Sequence, residues 1–185
     1  MPRQKSRGGS KLSNDTSSLA STTSAGAATI TASLPHIIAL DPGGTTGFAW
    51  LNHKGLGQSH LTGENHHADL WGLLLSAAKV AEQHNTKLHI VCEQFEFRQT
   101  ERHRDFINYI PREYIGVARL FCQMNGGPEL FMQSASQAKS FFSDDKVKKL
   151  GLWIPSLRHA MDATRHYLYH RVFTLGDKSL LLLLR

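Results

Sequence analysis

From Pro35 onward short apolar runs bounded by turn residues give way to stretches in which apolar residues recur at helical spacing, and these two patterns mark out the elements. "HIIAL" (36–40) and "GFAWL" (47–51) are short apolar runs separated by Pro-Gly-Gly, the pattern of two strands joined by a turn of more than two residues. "GQSHLTG" (57–63) supplies a third strand. Between Asn65 and His84 the spacing lengthens, and Leu70, Leu74, Ala77, Ala78 and Ala81 predict a helix lying on the sheet. "KLHIVCE" (87–93) is a buried strand that ends in an acid. A second helix is expected from Pro111 to Met124, with proline in its first turn and glycines closing it. "ELFMQ" (129–133) is a further strand, and "SASQ" (134–137) has the spacing of a capping box that opens a short helix through Phe142. The last helix runs from Ser156 to Phe173. Strands first, then helix and strand in alternation, predict an α/β domain with a mixed sheet.

Composition changes this picture at the N-terminus. Residues 1–34 are rich in Ser, Thr, Ala and Gly with basic residues near the start, and they bury too little apolar surface to offset the entropy of ordering them. They are expected to be a disordered basic tail, leaving 35–185 as one domain; 185 residues at 41% hydrophobic content suit a single core. The tail lacks the apolar stretch of a secretory signal and has few arginines for a mitochondrial presequence. No window approaches the roughly 18 apolar residues of a membrane span, and "SLLLLLR" at the C-terminus falls far short, so a soluble protein with no membrane partner is expected. Cys92 and Cys122 sit in apolar contexts without metal-ligand spacing, which fits reduced core residues in a cytoplasmic protein.

Charge then points to a partner. The formal net charge is +6, and outside the tail the cations cluster at Arg98, Arg102, Arg104, Arg112 and Arg119, and again at Lys139, Lys146, Lys148 and Lys149. Such clusters suit a polyanion, although solvated faces of an ordinary basic protein also carry them. The loop "QFEFRQTERHRDFINY" (94–109) interleaves Phe95, Phe97, Phe106 and Tyr109 with Arg98, Arg102 and Arg104, a mixture that can stack on bases and hold phosphates, or cap a helix with buried aromatics.

Three acids stand out by position. Asp41 ends the first strand, Glu93 ends the fourth, and Asp162 lies in the last helix, in "RHAMDATRH", between the small residues Ala160 and Ala163 that let a helix approach a sheet closely. If the first and fourth strands are parallel neighbours, Asp41 and Glu93 project side by side at one rim. Adjacent carboxylates are stable only when one is protonated or when divalent cations neutralise both. His159 stands three residues before Asp162 on the same helical face and can act as a nitrogen ligand or proton carrier. Taken singly, an Asp before Pro-Gly is most often a turn former, a Glu after a strand a solvated end, and His-x-x-Asp a surface pair. The order in which the three occur is far more restrictive than any one of them.

"ALDPGGTTGFAW", "IVCEQF" and "HAMDATRH" together resemble the three acidic motifs of RuvC-like Holliday junction resolvases of the RNase H-like nuclease superfamily, most of all the small versions encoded by phages. The similarity spans roughly Ile37 to His170. It implies an RNase H-like α/β fold, a five-stranded mixed sheet flanked by helices, with the first three strands antiparallel. It makes Asp41, Glu93, His159 and Asp162 the metal ligands and catalytic residues, holding two Mg²⁺ or Mn²⁺ ions roughly 3.5–4 Å apart. The implied activity is cleavage of Holliday junctions and other branched DNA by a homodimer in a bacterial or phage-infected cytoplasm. Arg98, Arg102, Arg104, Phe97, Lys139, Lys146, Lys148 and Lys149 become the DNA-binding set. In this reading Gly43 and Gly44 leave room for the scissile phosphate, and Thr45 and Thr46 donate to its oxygens. Two alternatives stand beside it: a catalytically silent DNA-binding adaptor with the same fold, and an ATP-binding domain of the actin and sugar-kinase type, suggested by "DPGGTTG" but short of the second half such proteins need.

Overall fold

All six residues of β1 (His36–Asp41) are buried, the mark of a strand covered on both faces, and β1 accordingly lies at the centre of the sheet. The structure, a computed structural model, describes residues 34–51, 60–65, 69–95 and 109–185, with only the backbone described at 51, 60–62, 64 and 65. All these residues belong to one unit, Ser33–Arg185. The strands form one mixed sheet in the order β3-β2-β1-β4-β5. β2 (Thr46–Leu51) runs antiparallel to β1, with Asp41 opposite Gly47, and β3 (His60–Asn65) runs antiparallel to β2. On the other side β4 (Leu88–Glu93) is parallel to β1 with Leu40 opposite Cys92, and β5 (Glu129–Gln133) is parallel to β4 with Glu93 opposite Gln133.

The period of two along these strands separates two apolar layers. Ile38, Leu40, Ile90 and Cys92 pack with Leu74 and Ala77 of α1 (Leu70–Gln83) and with Ala118 and Phe121 of α2 (Ile110–Asn125). Ile37, Ala39 and Val91 pack with Met161, Tyr167 and Leu168 of α5 (Arg158–Tyr169). Phe142, which ends α3 (Ala135–Phe141), and Val147 of α4 (Asp144–Lys149) close that second layer. A fully buried Leu or Phe contributes about 1.5–3 kcal/mol, so each layer is a core in its own right.

One glycine is required by the approach of α5. A Cβ on Gly47 would lie 2.0 Å from the His159 carbonyl carbon, an approach no backbone tolerates. Ala160 and Ala163, both wholly buried, are the matching small residues on the helix. At the end of α2, Gly126 takes the left-handed conformation (φ 61°), and its amide closes the helix on the Cys122 carbonyl.

Several expectations shift. The third strand is His60–Asn65 rather than 57–63, and the described part of the first helix begins at Leu70 rather than Asn65. Ser134 occupies the N-cap position of α3, but the capping box does not form, because the Ser134 hydroxyl meets the Ser136 hydroxyl at 2.8 Å instead of a backbone amide. The last long helix covers Arg158–Tyr169 and then widens into a π-helical turn, His170–Thr174, through an i to i+5 bond from the Leu175 amide to the His170 carbonyl. α4 was not anticipated, although Asp144 and Asp145 in its first turn and Lys146, Lys148 and Lys149 in its last match the helix dipole. The leucine run forms a short helix, α6 (Ser179–Leu182), with Leu180 buried and Leu182 and Leu183 more than half exposed.

Candidate active site

The parallel register carries one polar side chain from each of three neighbouring strands to the same rim: Asp41 from β1, Glu93 from β4 and Gln133 from β5. All three lie on the face covered by α5. Asp41 is 7% exposed and accepts a hydrogen bond from His159 Nδ1 at 2.9 Å. Three residues along α5, Asp162 is equally buried and is held by Arg165 Nη1 at 2.5 Å and Lys139 Nζ at 2.9 Å. A further turn along, the fully buried His166 donates from Nε2 to Glu93 Oε2 at 2.9 Å, and its Nδ1 stands 2.9 Å from Gln133 Oε1.

The electrostatics follow from this crowding. Burial pushes the Asp41 carboxyl up to about 6, the neighbouring charges of Glu93 and Asp162 push it the same way, and the hydrogen bond from His159 opposes them. Burial also acts to raise Glu93, but the hydrogen bond and charge of His166, the charge of Lys139 and a hydrogen bond with Asp41 outweigh it and leave Glu93 below its ordinary value. The two neighbouring carboxylates are thus driven apart, with the less solvated one the more reluctant to ionise.

Asp41, Glu93, His159 and Asp162, together with Lys139, are therefore brought to one end of the sheet. The three carboxylates are the hard oxygen donors that Mg²⁺ or Mn²⁺ takes, the His159 imidazole is a borderline nitrogen donor beside them, and the charge compressed around Asp41 is of the kind a divalent cation relieves. Among the described residues no three Asp, Glu, His or Cys side chains gather tightly enough to cage an ion as they stand. Asp162 is turned to Lys139 and Arg165, and Glu93 to His166. The donor chemistry fits at Asp41 and Glu93, and the protein's own cations satisfy Asp162.

Three residues of the site were not singled out from the sequence. Gln133 is legible only through register, since it ends the strand next to Glu93. His166 lies four residues after Asp162 and seven after His159, on the same stripe of α5. Arg165 is buried, its Nε donating to the Phe142 carbonyl at 3.0 Å and its Nη2 paired with Asp144.

The remaining expected residues divide. Arg98, Arg102, Arg104, Phe97 and Phe106 lie outside the described residues. Phe95 packs against the α1/α2 layer with the Arg112 guanidinium 5.3 Å from its ring centre, while Tyr109 is 54% exposed. Lys146 donates to the Phe141 carbonyl at 2.7 Å and so fastens the end of α3, and Lys149 donates to the carbonyls of Leu184 and Arg185 at 3.0 and 2.6 Å and so fastens the C-terminus. Lys148 stands 5.0 Å over the Trp153 ring. Of the loop residues, Thr46 is buried and its hydroxyl faces Gly43 at 3.4 Å, so it braces the turn, whereas a Cβ on Gly44 would meet open space. Cys92 and Cys122 are both free thiols, and burial pushes the Cys92 thiol up.

No protein-family model and no curated protein matches the chain. Among solved structures it is similar to T. thermophilus RuvC in complex with a Holliday junction substrate, with a TM-score of 0.52 and 16% sequence identity over 78% of this chain and 97% of that one. No described helix is long and apolar enough to cross a membrane. At that identity the likeness carries the architecture alone, and the conclusion it supports is that this chain has the RuvC fold.

Proposed function

We propose that this protein is a divalent-metal-dependent, structure-selective endodeoxyribonuclease of RNase H-like type that cleaves Holliday junctions and other branched DNA. The observation that carries the reading is the pairing of Asp41 with Glu93 on adjacent parallel strands, with the Asp41 carboxyl raised to about 6 by burial and by the charges of Glu93 and Asp162. A core has no structural use for such repulsion, whereas a phosphodiesterase has one. Asp41 and Glu93, joined by His159 and Asp162, would hold two Mg²⁺ or Mn²⁺ ions, which when bound supply an activated water and stabilise the leaving 3′ oxygen.

The chain's own residues do the rest. The central strands hold the two carboxylates rigidly, and His166, locked between Glu93 and Gln133, orients Glu93. Lys139, half exposed beside Asp162, is within the site and would meet a backbone phosphate, and the sequence offers Arg98, Arg102 and Arg104 for the same role. The fold shared with a junction-bound RuvC supports branched DNA as the substrate class. A homodimer fits a substrate that needs two cuts, and the two free thiols fit a reducing cytoplasm.

A catalytically silent DNA-binding adaptor is the second reading, favoured by the internal neutralisation of Asp162 by Lys139 and Arg165. One assay separates them. Purified protein is incubated with a labelled four-way junction, with Mg²⁺ or Mn²⁺ and with EDTA, alongside Asp41→Asn. Metal-dependent cleavage that Asp41→Asn abolishes, with junction binding kept or tightened, is the expected result. Binding without cleavage by the wild type would establish the adaptor.

A further inference from the structure

A pocket of about 650 Å³ opens beside Asp162, between α3, α4 and the loop that leads into α5. Trp153, Ile154, Pro155 and Met161 form one side of it. Met161 is almost wholly buried and accepts a hydrogen bond from the Ile154 amide at 3.2 Å, which fastens the loop to the helix. Ser156, also in the lining, holds a left-handed backbone (φ 65°), a strained conformation for a residue with a side chain. Charged residues complete the lining. Lys139 is tied to Asp162, and Arg165, 5.8 Å from the Trp153 ring centre, is tied to Asp162 and Asp144, whereas Arg158 is exposed and makes no ion pair among the described residues.

We propose that this pocket receives one nucleotide of the DNA substrate, next to the scissile phosphate, with its base laid against Trp153 and Ile154 and its phosphate at Arg158 and Lys139. The inference rests on the nuclease reading and adds to it the subsite that accepts an unstacked base. Three observations favour this occupant. Asp162 and Lys139 belong to both the pocket and the catalytic rim, so a group seated here is covalently within reach of a phosphate at Asp41. Apolar residues together with three cations, against the two carboxylates Asp144 and Asp162, leave Arg158 without an ion pair among the described residues, which matches a molecule that is aromatic at one end and anionic at the other, and the volume suits a group of that size. At a branch point some bases have lost a stacking neighbour, so extruding one is cheapest in that class of DNA.

The test reads binding without metal. A labelled four-way junction is titrated in EDTA by fluorescence anisotropy, with an abasic residue stepped through the nucleotides around the crossover, against wild type, Trp153→Ala and Ile154→Ala. Thermal melts by circular dichroism check that each variant is folded, and Ile154→Ala is the gentler of the two. At one position, removing the base is expected to weaken wild-type binding about ten-fold. Both wall variants should bind the intact junction more weakly and then lose less than about two-fold on the abasic junction, because base and wall act as one unit. Arg158→Ala, on the exposed edge, should weaken all junctions alike and reduce the salt slope by about one.

Indifference of the wild type to every abasic position, losses that simply add, or no junction binding at all would each overturn the proposal. Cleavage of the same junctions in Mg²⁺ is read separately. Coupling without cleavage keeps the pocket as a nucleotide site and removes the nuclease reading, and cleavage without coupling does the reverse.

Discussion

Along β1 the side chains alternate between two environments. Ile38 and Leu40 enter the layer under α1 and α2, where the buried residues are almost all apolar, with His36 and Thr46 at its margins. Ile37, Ala39 and Asp41 enter the layer under α5, which also buries His89, Gln133, Asp162, Thr164, Arg165, His166, His170 and Arg171. Burying polar groups costs several kcal/mol unless each finds a partner, so a fold has no reason to gather them on one side for stability alone. The first layer holds the sheet together, and the second aims side chains at its rim.

That contrast is most sharply broken by a pair of substitutions. Glu93→Gln is expected to lower single-turnover cleavage about 10³-fold while leaving the melting temperature close to that of wild type. Leu74→Ala, on the apolar side, should cost about 2–5 kcal/mol of stability and leave cleavage per folded molecule unchanged. If both variants lose activity in proportion to stability, the division of labour between the faces is wrong.

The next effect is a pH dependence with two opposed parts. The Asp41 carboxyl is raised from 3.8 to about 6 in the folded protein, so the native state binds its proton more tightly and stability falls as pH rises through that window, by roughly 3 kcal/mol. The His170 imidazole is lowered from 6.5 to about 4, by burial first and by His89 second; the unfolded chain takes up its proton more readily, so stability is lost as pH falls through 6.5 toward 4, again by roughly 3 kcal/mol. Both groups lie in the α5 layer, and in the metal-free wild type their slopes nearly cancel. Asp41→Asn removes one of them. In urea unfolding with EDTA it should match wild type near pH 4 and exceed it by roughly 3 kcal/mol at pH 7. A variant that tracks the wild type at every pH would show that Asp41 is not compressed by its neighbours.

Smaller again is the loss at His166, which touches Glu93 rather than the substrate. His166→Ala should raise the Mg²⁺ concentration for half-maximal cleavage about 10–100-fold, with partial rescue by His166→Gln, which can still donate to Glu93. A change in stability alone, with the metal dependence unmoved, would make His166 a packing residue. The smallest effect is expected from Arg102→Ala combined with Arg104→Ala. Junction binding should weaken and its log–log salt slope flatten by about 0.9 for each phosphate that an arginine no longer neutralises, with cleavage of saturated substrate preserved.

The sequence alone was enough for the elements whose cause is local. The short apolar runs "HIIAL" and "HIVC", the helical spacing from Leu70 to Ala81 and the glycines after α2 are written in consecutive residues, and the structure places a strand, a helix or a helix end at each. That Asp41 and Glu93 end strands and that His159 and Asp162 share a helical stripe can be counted, and the structure brings the four to one end of the sheet. What could not be counted was decided by the fold. Gln133 joins the site because β5 pairs with β4 in one register and not the next, and Gly47 matters because α5 passes 2.0 Å from where its Cβ would be. Nothing in the spacing of "HAMDATRH" marks His166 and Arg165 as buried, but they are, since α5 is enclosed along most of its circumference and polar residues on such a helix become the partners of the acids. Periodicity reports which residues share a face; only the pairing of strands and the depth of a helix decide what that face meets.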